Sequence, residues 1–193
     1  AVWPKPPSRT RVSAFFSASP KSAARYIAST AKHSYVDSVL IAAEMLSKQK
    51  RGMLAVFMRR TKLDNILSTG TRLNADLSSS LLVTIFGHNT PLHDGACFIQ
   101  GGKILAAGCF LPVSEQYDIK KTFGTRHRAA LGLCEVSDCV VLVVSEETGA
   151  YSLAYDSKLH YDLTMDQVTR ILERQLDITP DQQIIEDTID EHK

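Results

Sequence analysis

The chain alternates between stretches whose apolar residues recur every three or four positions and short stretches that are apolar throughout. The first pattern predicts amphipathic helices and the second predicts buried strands. Four helices are predicted: one from near Ser34 to a stop at Gly52, one capped by residues 74–76, one over 125–135, and one beginning after Thr164. Their inward-facing positions are Val36, Val39, Leu40, Ala43 and Leu46; Leu77, Leu81, Leu82 and Ile85; Ala129, Ala130 and Leu133; and Val168, Ile171 and Leu172.

Five apolar runs predict strands, at residues 53–58, 97–100, 103–106, 139–144 and 150–155. Gly101 and Gly102 separate the second run from the third and indicate a hairpin, because both tolerate the positive φ of a tight turn. Residues 112–124 show no periodicity and are expected to form a surface loop. Strands and helices that mix hairpins with crossovers predict an α/β fold with a mixed central β-sheet flanked by helices.

The charged residues are unevenly distributed, although the formal net charge is only +1. Residues 1–36 carry six Lys/Arg and no acid, which leaves 16 basic and 21 acidic residues for the remainder. We therefore expect a flexible, Ser- and Pro-rich basic extension over 1–33, one folded domain over 34–176 and an acidic, solvated tail over 177–193. The acidic balance of residues 37–193 argues against broad nucleic-acid binding.

The spacing of the cysteines and the hydropathy of the chain indicate the cellular compartment. Four cysteines, Cys97, Cys109, Cys134 and Cys139, have neither CxxC nor zinc-type spacing, so we expect free thiols in a reducing cytoplasm. No window approaches the roughly 18 uninterrupted apolar residues that a membrane-spanning helix needs. The chain by itself is expected to be soluble.

Two polar clusters flank the predicted hairpin, at residues 92–96 (LHDGA) and 124–128 (GTRHR). Because a hairpin returns the chain to its start, Asp94 can lie near Arg126 and Arg128, although 32 residues separate Asp94 from Arg126. A carboxylate that can hold a divalent cation, beside two guanidiniums that can bind phosphate, suits nucleotide chemistry. Taken singly, each cluster is more ordinary: an Asp-Gly turn entering a strand, and a solvated charged helix face.

Charge placement favours the functional interpretation. Two cations at a helix start oppose the helix macrodipole, and a bound phosphate would resolve that conflict. Glu146 and Glu147 repel each other at the end of a buried strand unless solvent or a metal ion relieves them. Gly102-Lys103 is not followed by Ser or Thr and no GxGxxG is present, so a nucleotide would be held by another scaffold.

Three motifs together resemble the diadenylate cyclase family: residues 91–96 (PLHDGA), 124–130 (GTRHRAA) and 145–149 (SEETG). They fall in the family's order and spacing. Residues 109–112 (CFLP) and 135–138 (EVSD) also look like its members. The likeness is strongest to the membrane-associated bacterial type, in which transmembrane helices precede the cyclase domain. The resemblance thus implies a cytoplasmic domain of a longer, membrane-anchored protein, attached only through segments missing from this chain.

The resemblance implies a nucleotidyltransferase that condenses two ATP molecules into 3′,5′-linked cyclic di-AMP and releases two pyrophosphates. Each 3′-hydroxyl attacks the α-phosphorus of the other nucleotide. Because members of this type hold one ATP per subunit, two subunits must meet face to face as a homodimer. A divalent cation is implied as cofactor, namely Mg²⁺, Mn²⁺ or Co²⁺.

The resemblance also assigns residues to roles. The implied catalytic residues are Asp94, Arg126 and His127, and the implied metal ligands are Asp94, Glu147 and His93. The residues expected to contact ATP are Gly95, Ala96, Phe110, Leu111, Gly124, Thr125, Arg126, His127, Arg128, Ser145 and Glu146. Phe110 and Leu111 are assigned as adenine-flanking positions, with ordinary strand core as the alternative.

Two other function classes stay open at this point. The domain could be a catalytically silent module that binds ATP or a cyclic dinucleotide. The presence of Asp94 and Arg126 favours the enzyme, because a sensor needs no carboxylate to position a metal ion. His93-Asp94 also suggests a metal phosphohydrolase, which would need further His and Asp residues on helices.

Overall fold

Two strands that are buried along their whole length, β1 (Met53–Phe57) and β5 (Val140–Val144), pair antiparallel inside the sheet. The structure, a computed structural model, describes residues 35–116 and 124–177. Within these residues seven strands form one sheet, in the order β2-β4-β3-β1-β5-β6-β7. The further strands are β2 (Thr71–Asp76), β3 (Ala96–Gln100), β4 (Lys103–Cys109), β6 (Tyr151–Tyr155) and β7 (Lys158–Leu163).

Helices cover both faces of this sheet. They are α1 (35–48), α2 (Asp64–Leu67), α3 (Ser79–Ile85), α4 (Thr125–Val136) and α5 (Met165–Gln175). Helices α1, α3 and α5 pack on one face, and α2 and α4 pack on the other. Strand β5 is apolar throughout because both of its faces are buried. Leu142 faces the core beneath α1, α3 and α5, while Val141 and Val143 face the core beneath α2 and α4.

The sheet is mixed, which confirms the predicted fold class. Strands β1 and β3 pair in parallel, and the other pairs are antiparallel. The predicted hairpin is confirmed, with Gly101 at φ 57° and Gly102 at φ 77° in the turn between β3 and β4. Helix α5 follows Thr164 as predicted, and a capping box starts it, since Thr164 and Gln167 bond each other's backbone.

The predicted cap at residues 74–76 is wrong. These residues end β2, where Asn74 takes a positive φ of 48° at an irregular stretch of the pairing with β4. Ser78 caps α3 instead, and its hydroxyl accepts a hydrogen bond from the Leu81 backbone at 3.2 Å. The edge strands β2 and β7 were not predicted as strands, because half-exposed edge strands carry polar residues and lack an apolar run.

The loop predicted over 112–124 is described only in part. Residues 112–116 have no regular secondary structure, yet Ser114 is 1% exposed, so this part is not wholly at the surface. Residues 117–123, the predicted extension over 1–33 and the tail beyond Asp177 lie outside the described residues. None of the described helices is long and apolar enough to cross a membrane.

All four cysteines are buried and are free thiols in the structure. Burial raises the pKa of Cys97 to about 12, and burial likewise raises the pKa of Cys134 to about 12. These thiols therefore stay protonated at neutral pH and serve as small apolar core residues.

Gly132 in α4 is the place where the segment 112–116 crosses the helix. A Cβ at this position would lie 2.7 Å from the backbone nitrogen of Ser114 and would also meet the Pro112 carbonyl. Gly132→Ala should therefore destabilise the protein by about 1–3 kcal/mol, although alanine is the better helix former. Thermal unfolding measures this loss. A melting temperature of Gly132→Ala equal to or above that of the wild type would contradict the close crossing.

Candidate functional site

A cavity of about 310 Å³ opens at the end of the sheet where β1 begins and where β4 and β5 end. The register of the sheet creates this end, since Met53 pairs with Val144 and Ala96 pairs with Cys109. Several residues predicted from the sequence line the cavity together: Asp94, Gly95, Phe110, Leu111, Thr125, Arg126 and Glu146. Asp94 and Arg126 thus line the same cavity, which supports the prediction that the hairpin brings them close together.

A smaller recess of about 160 Å³ adjoins this cavity. Here the start of α4, from Gly124 to His127, faces the turn that follows β5, from Ser145 to Thr148. Thr125, Arg126 and Glu146 line both spaces. Glu147 lines only the recess, so the two neighbouring glutamates face different parts of the site.

Asp94 reaches the cavity because Gly95 lets its turn lie against β4. Gly95 has φ 107°, and a Cβ there would be 2.7 Å from the Cys109 carbonyl oxygen. The side chain of Asp94 is exposed. Ala96, which was expected to contact ATP, begins β3 and its side chain is fully buried in the core beneath the cavity.

His93 lies beside Asp94 in the sequence but does not line either space. Its half-buried ring donates from Nδ1 to the carbonyl of Thr90, so Nε2 is the nitrogen left for any other partner. The structure therefore gives His93 a role in holding the turn before Asp94.

Arg126 forms an ion pair with Glu146 in the site. Its Nη1 donates to Oε2 of Glu146 at 2.6 Å, and the arginine side chain is 19% exposed. Since Arg126 lies in the first turn of α4, its cation opposes the helix dipole, and Glu146 supplies the compensating anion. The pair is partly exposed, and such pairs contribute little to stability.

Gly52 is a site residue that was predicted only as the stop of the first helix, and that helix in fact ends at residue 48. A Cβ at Gly52 would lie 2.5 Å from Cζ and Nη1 of Arg126. The guanidinium therefore packs directly on the backbone that enters β1. Nothing in the local sequence reports this contact, because it joins residues from different elements.

Arg128 holds the neighbouring segment rather than lining the cavity. Its Nη2 donates to the Ser114 carbonyl at 3.3 Å, and the Ser114 backbone nitrogen donates to the Arg128 carbonyl at 3.0 Å. The hydroxyl of the buried Ser114 donates to Oε1 of Glu135 at 2.6 Å. Arg128 and Glu135 thus fix the segment that places Leu111 and Val113 at the cavity wall.

His127 is 4% exposed and points into the protein. Its Nε2 lies 3.2 Å from the hydroxyl of Ser152, and its ring meets Tyr161 edge to face at 5.6 Å between centroids. Burial of the ring, and next the charge of Arg126, lower the pKa of His127 below its ordinary value of 6.5. Ser152 and Tyr161 were not identified from the sequence.

Phe110 lies just beyond the end of β4 and is 65% exposed. Its backbone nitrogen donates to the hydroxyl of Thr69 at 3.0 Å, which fixes the chain there. The strand-core alternative is therefore wrong for Phe110. Leu111 is half-buried and packs against the core below, so the pair offers an exposed ring beside an apolar wall.

A divalent ion at this site would find few protein ligands. Among the described residues, no three His, Cys, Asp or Glu side chains group closely enough to hold a metal ion. Asp94 and Glu146 line the same cavity, and Glu147 lines the adjoining recess. One or two carboxylates suit Mg²⁺, which commonly completes its coordination with phosphate oxygens and water.

Exposed aromatic surface, a carboxylate and an arginine at a helix start are features that suit a phosphorylated ligand with a flat ring. The family model described as DAC, DisA bacterial checkpoint controller nucleotide-binding, matches residues 40–159. The chain belongs to this family.

Several relatives agree with this assignment. The chain is 42% identical over 145 residues to a diadenylate cyclase of Listeria monocytogenes, and 43% identical over 143 residues to the cyclic di-AMP synthase CdaA of Bacillus subtilis. These alignments cover 75% and 74% of this chain, but 53% and 52% of the relatives. The chain thus spans about half the length of these curated relatives.

Two solved structures share the fold. A double mutant of DacA from Staphylococcus aureus has a TM-score of 0.73 at 41% identity, over 75% of this chain and 96% of that chain. A protein of Bacillus cereus described as a hypothetical membrane spanning protein has a TM-score of 0.64 at 41% identity, over 67% of this chain and 63% of that chain. Both agree with the predicted α/β architecture.

The lowered pKa of His127 predicts how stability responds to pH. Above the unfolded-state pKa the ring is neutral in both states, and the full stability of the buried ring is present. As the pH falls below that value, the unfolded chain takes up the proton first, so stability declines. Between about pH 7.5 and pH 5.5, the wild type should lose more unfolding free energy than His127→Gln, which keeps a hydrogen-bonding group but cannot titrate. Urea unfolding measures both, and parallel pH profiles would refute the buried neutral ring.

The contact at Gly52 predicts a selective effect on Arg126. The added methyl of Gly52→Ala meets only the far end of a flexible side chain, so the fold should survive with a nearly unchanged melting temperature. The guanidinium must move, and the Nε–Hε signal of Arg126 should shift in the NMR spectrum. Glu146→Gln is the comparison, because it weakens the ion pair without adding the methyl. An Arg126 signal that shifts in Glu146→Gln but not in Gly52→Ala would disprove the packing contact.

Proposed function

We propose that this chain is the catalytic domain of a diadenylate cyclase, which condenses two ATP molecules into cyclic di-AMP and releases two pyrophosphates. The observation that carries the proposal is the convergence of Asp94, Phe110 and Arg126 on one cavity. The names of the relatives, diadenylate cyclase and cyclic di-AMP synthase, support the choice of reaction.

The cavity suits one nucleotide. Its volume of about 310 Å³ lies at the lower end of the range for small-molecule sites. Phe110 and Leu111 offer flat and apolar surface to the adenine ring. Thr125 and Arg126 lie at the start of α4, where free backbone N–H groups and a guanidinium favour phosphate. A triphosphate carries more negative charge than Glu146 and would compete with it for Arg126.

The reaction needs charge neutralisation and alignment. In each half reaction, the 3′-hydroxyl oxygen of one ATP bonds to the α-phosphorus of the other. The bond from that phosphorus to the bridging oxygen breaks, pyrophosphate leaves with the electron pair, and the hydroxyl gives up its proton. Arg126 neutralises charge on the phosphates, and the exposed carboxylate of Asp94 is the base available to accept the proton of the attacking hydroxyl.

A divalent ion, Mg²⁺, Mn²⁺ or Co²⁺, would be held chiefly by Asp94, with Glu147 as the second carboxylate and His93 as the weakest candidate. When bound, such an ion neutralises developing charge on the phosphates and favours deprotonation of a bound hydroxyl. The small number of protein carboxylates at the site fits an ion shared with the nucleotide.

Other predicted site residues are assigned positioning roles. His127 is buried against Ser152, so we assign it to holding the first turn of α4 in place rather than to contact with the reacting atoms. Arg128 orders the segment that carries the cavity wall. Ser145 and Glu146 close the recess opposite α4.

Two cavities must meet, because one cavity of this size holds one nucleotide and the reaction joins two. We propose a face-to-face homodimer in which each subunit presents Asp94 and its bound ATP to the other, so that the two chemical steps are equivalent. We further propose that the domain works in the cytoplasm and that the longer protein is membrane-anchored, as the description of the Bacillus cereus relative suggests.

Asp94→Asn tests the catalytic role of the carboxylate. The residue is exposed, so folding and melting temperature should stay nearly unchanged, while production of cyclic di-AMP from ATP should be lost. Mass spectrometry after incubation with Mn²⁺ or Mg²⁺ measures the product. The control is Asp37→Asn, which neutralises an exposed carboxylate on α1.

An Asp94→Asn variant with wild-type, metal-dependent activity would remove the carboxylate from the mechanism. A wild-type chain that binds ATP but forms no product at any concentration would instead identify the sensor module.

Pairing of subunits predicts that activity depends on protein concentration. A single subunit binds ATP but cannot close the ring, so activity per subunit should rise with concentration until the active pair saturates. Specific activity across a dilution series, with analytical ultracentrifugation of the same samples, measures this. Constant specific activity at concentrations where only monomer sediments would exclude the face-to-face reaction.

A further inference from the structure

A third cavity, of about 510 Å³, is larger than either space of the candidate site and shares no lining residue with them. It lies where the parallel strands β1 and β3 end, at Met58 and Gln100, whereas the candidate site lies where these strands begin. In open α/β sheets, ligands commonly bind outside the carboxyl ends of parallel strands. We call this cavity the β1–α2 cleft.

The charges of the β1–α2 cleft are mostly positive. Arg60 and Lys62, in the connection from β1 to α2, and Arg72, on β2, line it, and Asp64 is the one carboxylate among its lining residues. All three cations are exposed. Within residues 35–116 and 124–177, none of them forms an ion pair. The whole domain over 34–176 carries 15 basic and 15 acidic residues, so three cations against one carboxylate make this lining more positive than the domain as a whole.

The fold fixes the backbone that carries two of these cations, Arg60 and Arg72. The carboxylate of Asp138 accepts hydrogen bonds from the backbone nitrogens of Arg60 at 3.1 Å and Thr61 at 3.0 Å. Arg72 lies at the irregular stretch of β2, beside Asn74 with its positive φ of 48°. The backbone under these two cations is therefore fixed before any ligand binds, which lowers the entropy cost of binding.

The floor of the β1–α2 cleft is apolar. Leu63 and Leu67 of α2 are buried, and Met58, Leu105 and Ala106 continue the surface along the sheet. The amide side chains of Asn74 and Gln100 lie at the edge. Apolar floor, a few polar groups and a volume of this size are the usual features of a small-molecule site.

We propose that the β1–α2 cleft binds a small phosphorylated metabolite of mononucleotide size. Its phosphate contacts Arg60, Lys62 and Arg72, and its ring lies on the floor at Leu63 and Leu67. Guanidiniums match the oxygens of a phosphate or a carboxylate two at a time, and three cations favour the phosphate because it carries more negative charge. This site is separate from the proposed catalytic cavity, and its occupation requires no catalytic activity.

Residue-resolved binding tests the proposal on the full chain. The ¹⁵N-labelled protein is titrated with AMP, adenosine and inorganic phosphate, at about 0.15 M salt to screen non-specific attraction. AMP should shift the amide signals of Lys62, Arg72 and Gln100 and should bind there at least about tenfold more tightly than either fragment, because it alone engages both cations and floor. Signals of Thr125 and Arg126 report separately on the other cavity.

Charge-matched variants decide whether the cleft is specific. Arg60→Gln/Arg72→Gln should weaken AMP binding at the cleft about tenfold or more and leave the shifts of Thr125 unchanged. Lys158→Gln/Arg170→Gln removes the same charge from exposed positions elsewhere and should bind AMP at the cleft as the wild type does.

Three results would overturn the proposal: no shift at the cleft with about 10 mM AMP, equal affinity in the Arg60→Gln/Arg72→Gln variant, or equal weakening in the control. Binding of adenosine as tight as AMP would likewise refute the phosphate contact. Because each readout is local to the cleft, failure here leaves the proposed cyclase reaction untouched, and failure of that reaction leaves this test valid.

Discussion

The site depends first on the antiparallel register between β1 and β5. Pairing of Met53 with Val144 brings the start of β1 beside the end of β5, so Gly52 and the turn at Glu146 arrive at the same end of the sheet. Helix α4 packs over these strands and delivers Arg126 between them. A shift of β1 by one residue would turn each of its side chains to the opposite face, so that Leu54 and Val56 would exchange places with Ala55 and Phe57. The packing of the two cores therefore opposes such a shift and keeps the geometry of the site.

Two glycines, Gly52 and Gly95, are as important for the geometry of the site as its charged residues. The guanidinium of Arg126 lies on the backbone at Gly52, and the turn that carries Asp94 lies on β4 at Gly95. In both places a polar group approaches main chain more closely than a Cβ would permit. The site is thus built by two close approaches that a larger side chain would block.

Ion pairing at Arg126 connects stability with the proposed chemistry. Two arginines in the first turn of α4 face the positive end of the helix dipole, and Glu146 partly compensates them through its ion pair with Arg126. The pair is exposed enough that it holds the side chain in place without contributing much to folding. A phosphate would relieve the same conflict more fully, since it offers more charge and accepts from free backbone N–H groups.

Local pattern was sufficient for the strongly apolar elements and for the polar clusters. Strands β1 and β5, the Gly101-Gly102 hairpin and the motifs around Asp94 and Arg126 follow from spacing and residue chemistry within a few positions of the chain. Edge strands β2 and β7, the contact of Gly52 with Arg126, and the burial of His127 against Ser152 were decided only by the tertiary structure. Those features join residues from separate elements, and no local preference of a glycine or a histidine reports which distant side chain will lie against it.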